Sequence, residues 1–167
     1  MITLILGGNK SGKSARALEL AAAAPGPACL VVTGQALDMD FREQILDHKR
    51  TRDRALTVFE SGPHLLHTLQ MATVGFQTVL VDSLDFWLYS VMDRGEAERD
   101  SAALAGALES WAGPDLFLVS LETGLGPLPA DPGHIRFVRL LGRLNQALAR
   151  VADRVELVAA GLGIQLK

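Results

Sequence analysis

The stretch "GGNKSGKS", residues 7–14, concentrates more chemistry than any other part of the chain. Gly7, Gly12, Lys13 and Ser14 satisfy the spacing GxxxxGK(S/T), and the segment lies between an apolar run and an alanine-rich helical pattern, as that spacing requires. The glycines let successive backbone N–H groups across Gly8, Asn9, Lys10 and Ser11 converge on phosphate oxygens, and the following helix points its positive end at the same place. Lys13 would neutralise the β/γ region of a nucleoside triphosphate, and Ser14 would ligate Mg²⁺. A second carboxylate, Asp82, closes the apolar run "TVLVD". At the C-terminal end of a parallel strand it suits the metal-holding role, directly or through water. It can also cap a helix starting near Ser83, and the two roles are compatible.

A different kind of chemistry is available at His48, which falls in a helical pattern beside Asp47, Lys49, Arg50, Arg52 and Arg54. A histidine on a charged helix is ordinarily solvated, and the basic run would then be a solvated face. Among several cations it can instead stay neutral and attack a phosphate as a nucleophile. Chemistry alone leaves both readings open.

The elements that must position these groups alternate along the chain. Residues 2–6, 28–33, 78–82, 115–120 and 154–160 are short, mostly uninterrupted apolar runs, as expected of strands covered on both faces. Helical patterns lie between them at 14–24, 38–54, 64–73, 96–112 and 134–153. Strand, helix, strand in succession predicts an α/β fold of the P-loop NTPase type, a doubly wound, mostly parallel sheet with helices on both faces. Weaker strands are expected at 56–61 and at 163–167, the latter an antiparallel edge strand after the turn at Gly161 to Gly163. The Gly/Pro-rich stretch 123–133 reads as a functional loop inside one domain spanning 1–167.

Composition narrows the partners. A chain of 167 residues, 49% hydrophobic and 21% charged, can bury one substantial core. Its formal net charge of −3 gives no global cationic field for nucleic acid or anionic membrane. Cys29 is the only cysteine, so an intramolecular disulfide or thiolate zinc cluster is excluded, and a reducing cytoplasm fits. No apolar run approaches the roughly 20 residues of a membrane span, and no leader precedes the first strand.

Taken end to end, the sequence resembles the bifunctional adenosylcobinamide kinase / adenosylcobinamide-phosphate guanylyltransferase family of cobalamin biosynthesis. The resemblance rests on "GGNKSGKS", "VVTGQALDMDF" followed by "HK" and Arg52, Glu60 after "TVF", "VDSLDFWL", "VSLETGLGPLP", "GRLNQALA" and the closing "AGLGIQLK". It implies phosphorylation of adenosylcobinamide with ATP or GTP, then transfer of GMP from GTP, through a guanylylated His48, to give adenosylcobinamide-GDP. It also implies Thr33 and Glu60 near the nucleotide, Arg52 and Glu122 on substrate or phosphate, with Glu122 alternatively in the metal shell, and a homotrimer. The adjacent Phe86, Trp87, Leu88 and Tyr89 offer apolar surface to a subunit contact, although a helix buried on both sides would use it equally.

Departures from the family pattern fall at Asp53, where proline is common, at Leu56, where tryptophan is usual, and at Val138 and Arg139, where arginine and aspartate are common. The loss of arginine and aspartate at Val138 and Arg139 bears on the substrate contacts or subunit interface of that helix, and the phosphate loop and His48 are intact. Two other functions compete: a single-activity small-metabolite kinase, and a nucleotide-dependent switch or assembly factor. Formation of a covalent GMP adduct separates the first from the family reading; failure of a cobinamide to accept phosphate would favour the second.

Overall fold

A computed structural model describes residues 1–34, 56–127 and 129–167. The strands are β1 (Ile2–Gly7), β2 (Ala28–Val32), β3 (Thr57–Glu60), β4 (Thr78–Asp82), β5 (Asp115–Leu121), β6 (Arg154–Ala159) and β7 (Leu162–Gln165). The helices among the described residues are α1 (Lys13–Ala23), α2 (Leu65–Ala72), α3 (Leu84–Asp93), α4 (Ala97–Glu109) and α5 (Pro132–Val151). The helix expected at 38–54 lies outside the described residues, as do His48, Arg50, Arg52 and Asp53.

The strands form one sheet in the order β3-β2-β4-β5-β1-β6-β7, parallel except for β7 against β6. Every residue of β1 is buried because the strand is paired on both sides and covered on both faces. Alternation sorts its side chains into two cores. Ile5, Leu30, Leu80, Phe117, Val119 and Val158 meet Ala17, Leu18 and Ala21 of α1 on one face. On the other, Leu4, Leu6, Val31, Val79, Val81, Leu116 and Leu118 pack with buried leucines of α2 to α5. Truncating a fully buried leucine such as Leu4 or Leu118 to alanine would cost about 2–5 kcal/mol.

Local chemistry sets the ends of the elements. α5 starts at Pro132, two residues before the expected start, because the Asp131 carboxylate accepts from the His134 amide at 2.9 Å and proline suits the first helical position. β6 stops at Ala159 because Ala160 and Gly161 adopt φ of 52° and 79°, turning the chain back into β7. No described helix is long and apolar enough to cross a membrane.

Candidate nucleotide site

The parallel strands all end at one edge of the sheet, and the phosphate loop leaves β1 there. Gly7 admits no side chain, since a Cβ would meet the Ser11 side chain and approach the Val158 carbonyl to 2.7 Å. Gly12 has φ 94° and enters α1 without a side-chain cap, and the first turn of α1 carries no acidic residue. No side chain of the first turn or of its cap thus neutralises those N–H groups, and a helix start of this kind is one that anions favour. Lys10 also takes positive φ, 55°, and the Ser11 amide closes the loop onto the Gly8 carbonyl at 3.2 Å. Lys13 Nζ lies across the loop and donates to the Gly8 carbonyl at 3.3 Å.

Strand order places the other candidates. β5 lies between β1 and β4, so Asp82 stands two strands from Gly7, about 10 Å across the edge at the usual strand spacing. Glu122 follows the intervening strand. Its amide donates to the Gly7 carbonyl at 2.9 Å, and its carboxylate accepts from the Gly124 amide. Thr33 follows β2 and is buried; its amide donates to the Asp82 carbonyl at 3.3 Å, and its hydroxyl accepts from the Ser83 amide at 3.1 Å and donates to the Ser83 carbonyl. Thr33 thus fixes the end of β4 on which Asp82 sits. Glu60 ends β3 and is exposed, about 19 Å along the edge from β1. The edge therefore brings Gly7 to Ser14, Glu122, Asp82 and Thr33 together, with Glu60 at its far end.

Two supports of this site were not singled out as site residues in the sequence. The Gly161 amide of the β6-β7 turn donates to the Ser11 carbonyl at 2.8 Å. Asn145, inside the quoted "GRLNQ", reaches the end of β5 from α5. The signal for it was a polar residue interrupting an apolar helical stripe. An open cavity of about 730 Å³ lined by Pro25, Thr73, Phe76, Gln77, Pro114 and Asp115 lies at the opposite end of β4 and β5, away from the phosphate loop.

The donors offered to a metal are hydroxyl and carboxylate oxygens. The described residues contain no cluster of three histidine, cysteine or acidic side chains. A cation at Ser14 and Asp82 would take its remaining ligands from phosphates and water, which is the habit of Mg²⁺.

A parallel sheet whose first strand opens into this loop, with a carboxylate two strands away, defines a P-loop nucleotide-binding enzyme. Two solved structures share the fold at low identity: a KaiC-like protein of Pyrococcus horikoshii (TM-score 0.55, 14% identity, 93% of this chain and 69% of that one) and an ATPase of a bacterial type III secretion system (TM-score 0.57, 13% identity, 98% and 56%). The chain belongs to the cobinamide kinase / cobinamide phosphate guanyltransferase family, whose model matches residues 3–166. It is 35% identical to the bifunctional adenosylcobalamin biosynthesis protein CobP of Pseudomonas aeruginosa, covering 100% of this chain and 98% of that protein. It is 31% identical to CobU of Salmonella typhimurium, also described as a bifunctional adenosylcobalamin biosynthesis protein, over the full length of both.

Proposed function

We propose that the chain phosphorylates the hydroxyl of adenosylcobinamide from ATP or GTP, then transfers GMP from GTP through His48 to adenosylcobinamide phosphate, yielding adenosylcobinamide-GDP. The observation that carries the reading is the uncapped, acid-free start of α1 at Gly12 and Lys13, facing the edge that bears Glu122 and Asp82, in a chain of this family.

In the first reaction the loop amides and Lys13 hold the β and γ phosphates, while Ser14 and Asp82 would hold Mg²⁺, which supplies charge neutralisation at the phosphates when bound. Glu122, beside the loop, orients the acceptor hydroxyl. In the second, an unprotonated ring nitrogen of His48 forms a bond to the α-phosphorus as the bond to the β-phosphate oxygen breaks. Pyrophosphate leaves, and the ring proton passes to solvent. An oxygen of adenosylcobinamide phosphate then attacks the same phosphorus, breaking the P–N bond and freeing His48. One loop serves both steps because a grip on β and γ phosphates stabilises the leaving pyrophosphate. Arg52 neutralises the accepting phosphate, and Thr33 and Glu60 line the nucleotide side. The working unit in this reading is a cytoplasmic homotrimer.

The test is covalent labelling. With α-labelled GTP and Mg²⁺ but no cobinamide, the protein should gain one GMP, acid-labile and base-stable. His48→Asn should remove the adduct and leave kinase activity at least in part. An active kinase that takes up no GMP, or equal labelling of the variant, would reduce the function to a single-activity kinase.

A further inference from the structure

Along the inner face of α5, Leu140, Leu141, Leu144 and Leu148 are buried, and Asn145 is the one polar residue buried with them. A buried amide is unfavourable unless both its halves are bonded. Here both are: Asn145 Oδ1 accepts from Ser120 Oγ at 2.7 Å, and Asn145 Nδ2 donates to the Leu121 carbonyl at 3.0 Å. The next residue is Glu122, whose amide donates to the Gly7 carbonyl at 2.9 Å. Two hydrogen bonds in series, from Asn145 to Leu121 and from Glu122 to Gly7, therefore run from the interior of α5 to the mouth of the phosphate loop.

We infer that Asn145 is a positioning residue that fixes Glu122 against the phosphate loop by holding the Leu121 carbonyl. The inference rests on the function proposed above in taking Glu122 to work on the acceptor. A leucine at 145 would pack against the sheet in more than one register, whereas the amide bonds in only one, so it fixes where α5 stands relative to the end of β5. The same helix anchors the other end of the intervening loop, because Asp131 caps it through the His134 amide. About 20 Å of helix separates the cap from Asn145. The loop that leaves Glu122 and returns at Asp131 is thus held at both ends by one rigid element.

Three variants separate positioning from plain stability: Asn145→Leu, Asn145→Asp and Ser120→Ala. Asn145→Asp keeps the acceptor for Ser120 and loses the donor to Leu121; it also serves if Asn145→Leu fails to fold. Ser120→Ala leaves the Leu121 bond in place. Amide hydrogen exchange at Glu122 and Gly124 is measured in nucleotide-free protein, together with melting temperature, GTP affinity and phosphorylation of adenosylcobinamide. Both Asn145 variants should exchange at Glu122 about tenfold faster or more, while the central strands β1 and β4 stay protected. Their kcat should fall about 10- to 100-fold with GTP affinity within about twofold of wild type, and Ser120→Ala should match wild type in exchange and kcat. Wild-type exchange at Glu122 in both Asn145 variants would overturn the inference. So would acceleration spread evenly over the sheet with a lowered melting temperature. If the wild-type protein phosphorylates no cobinamide, the proposed function fails, and exchange at Glu122 still decides the role of Asn145.

Discussion

The Gly161 amide donates to the Ser11 carbonyl at 2.8 Å, so the turn between the last two strands is bonded to the phosphate loop that follows the first. The approach is close at Gly12, where a Cβ would come within 3.1 Å of Gly161 Cα. The β6-β7 hairpin is thereby a brace for the loop. Gly161→Pro deletes the donor and imposes a negative φ where the chain has 79°. It should weaken triphosphate binding about tenfold or more, as loss of a hydrogen bond in a preorganised site does. Isothermal titration with Mg²⁺ and GTP reads this directly; unchanged affinity in a folded variant would remove the brace from the argument.

Lys13 makes one bond to the described protein, 3.3 Å to the Gly8 carbonyl, and its remaining capacity is for ligand. Lys13→Ala should therefore leave the melting temperature nearly unchanged while triphosphate affinity falls by about 10- to 100-fold, the range for a hydrogen bond to a charged group. Both phosphoryl transfer and GMP adduct formation should be lost, because both depend on the same phosphate grip. A variant that binds and turns over GTP normally would sink the assignment.

What could be read from the sequence follows from what is local. β1, β2, β4 and β5 were legible because burial on both faces demands uninterrupted apolar runs. β3 gave a weaker signal because it is short and three of its four residues are exposed. The loop was legible because only glycine fits at Gly7 and only a positive φ enters α1 at Gly12. Strand order was not, since no residue of β5 announces that it inserts between β1 and β4. The roles of Thr33, Asn145 and Gly161 depend on that order, as each bonds to a segment far away in sequence.

Helix α3 divides its aromatics. Trp87 and Leu88 are buried, whereas Phe86 and Tyr89 are 53% and 60% exposed. Tyr89 meets Phe137 of α5 edge-on at 6.2 Å, so the exposed face continues onto the helix that carries Val138 and Arg139. Covering the two rings would contribute about 1–2 kcal/mol each to association. Light scattering should give a trimer mass over a range of concentrations, and Phe86→Ser with Tyr89→Ser should shift it toward monomer. A wild-type monomer at every concentration rejects this face as a subunit contact.

Cys29 in β2 is fully buried, and burial pushes its thiol up to about 11. Its folded pKa lies above the unfolded value of about 8.5. The thiol therefore adds stability that is fully present below pH 8.5 and is lost as pH rises toward 11. Native protein at pH 8 should react with a thiol reagent at least about 100-fold more slowly than unfolded protein, since thiolate and access are both suppressed. Cys29→Ala should flatten the alkaline limb of the stability profile between those pH values. An alkaline limb identical in the variant would show that other groups control it.

The last prediction concerns the ion pair that ties α1 to the sheet. Glu156 on β6 is 1% exposed and accepts from Arg16 Nε at 2.7 Å and from Arg154 Nη2 at 2.8 Å. Arg16 also bonds Glu19, and these two partners, Glu156 foremost, hold its guanidinium pKa well above the usual range. Gly163 on β7 leaves the space the Glu156 carboxylate occupies, because a Cβ there would collide with it. Arg16 stands one turn after Lys13, so the pair sets how α1, and the phosphate loop at its start, sits on the sheet. Glu156→Gln keeps the shape and removes the charge, so Arg154 loses its carboxylate partner and Arg16, also only partly exposed to water, keeps only Glu19. With solvent screening at Arg16 and Arg154, the cost should be about 1–3 kcal/mol, below the range for a wholly buried pair. Gly163→Ala should destabilise through the same carboxylate, and the two substitutions together should cost less than their sum because they disrupt one contact. Urea unfolding of the two single variants and the double variant measures the coupling. Strict additivity would show that Gly163 and Glu156 act independently and that the carboxylate is not held by the hairpin.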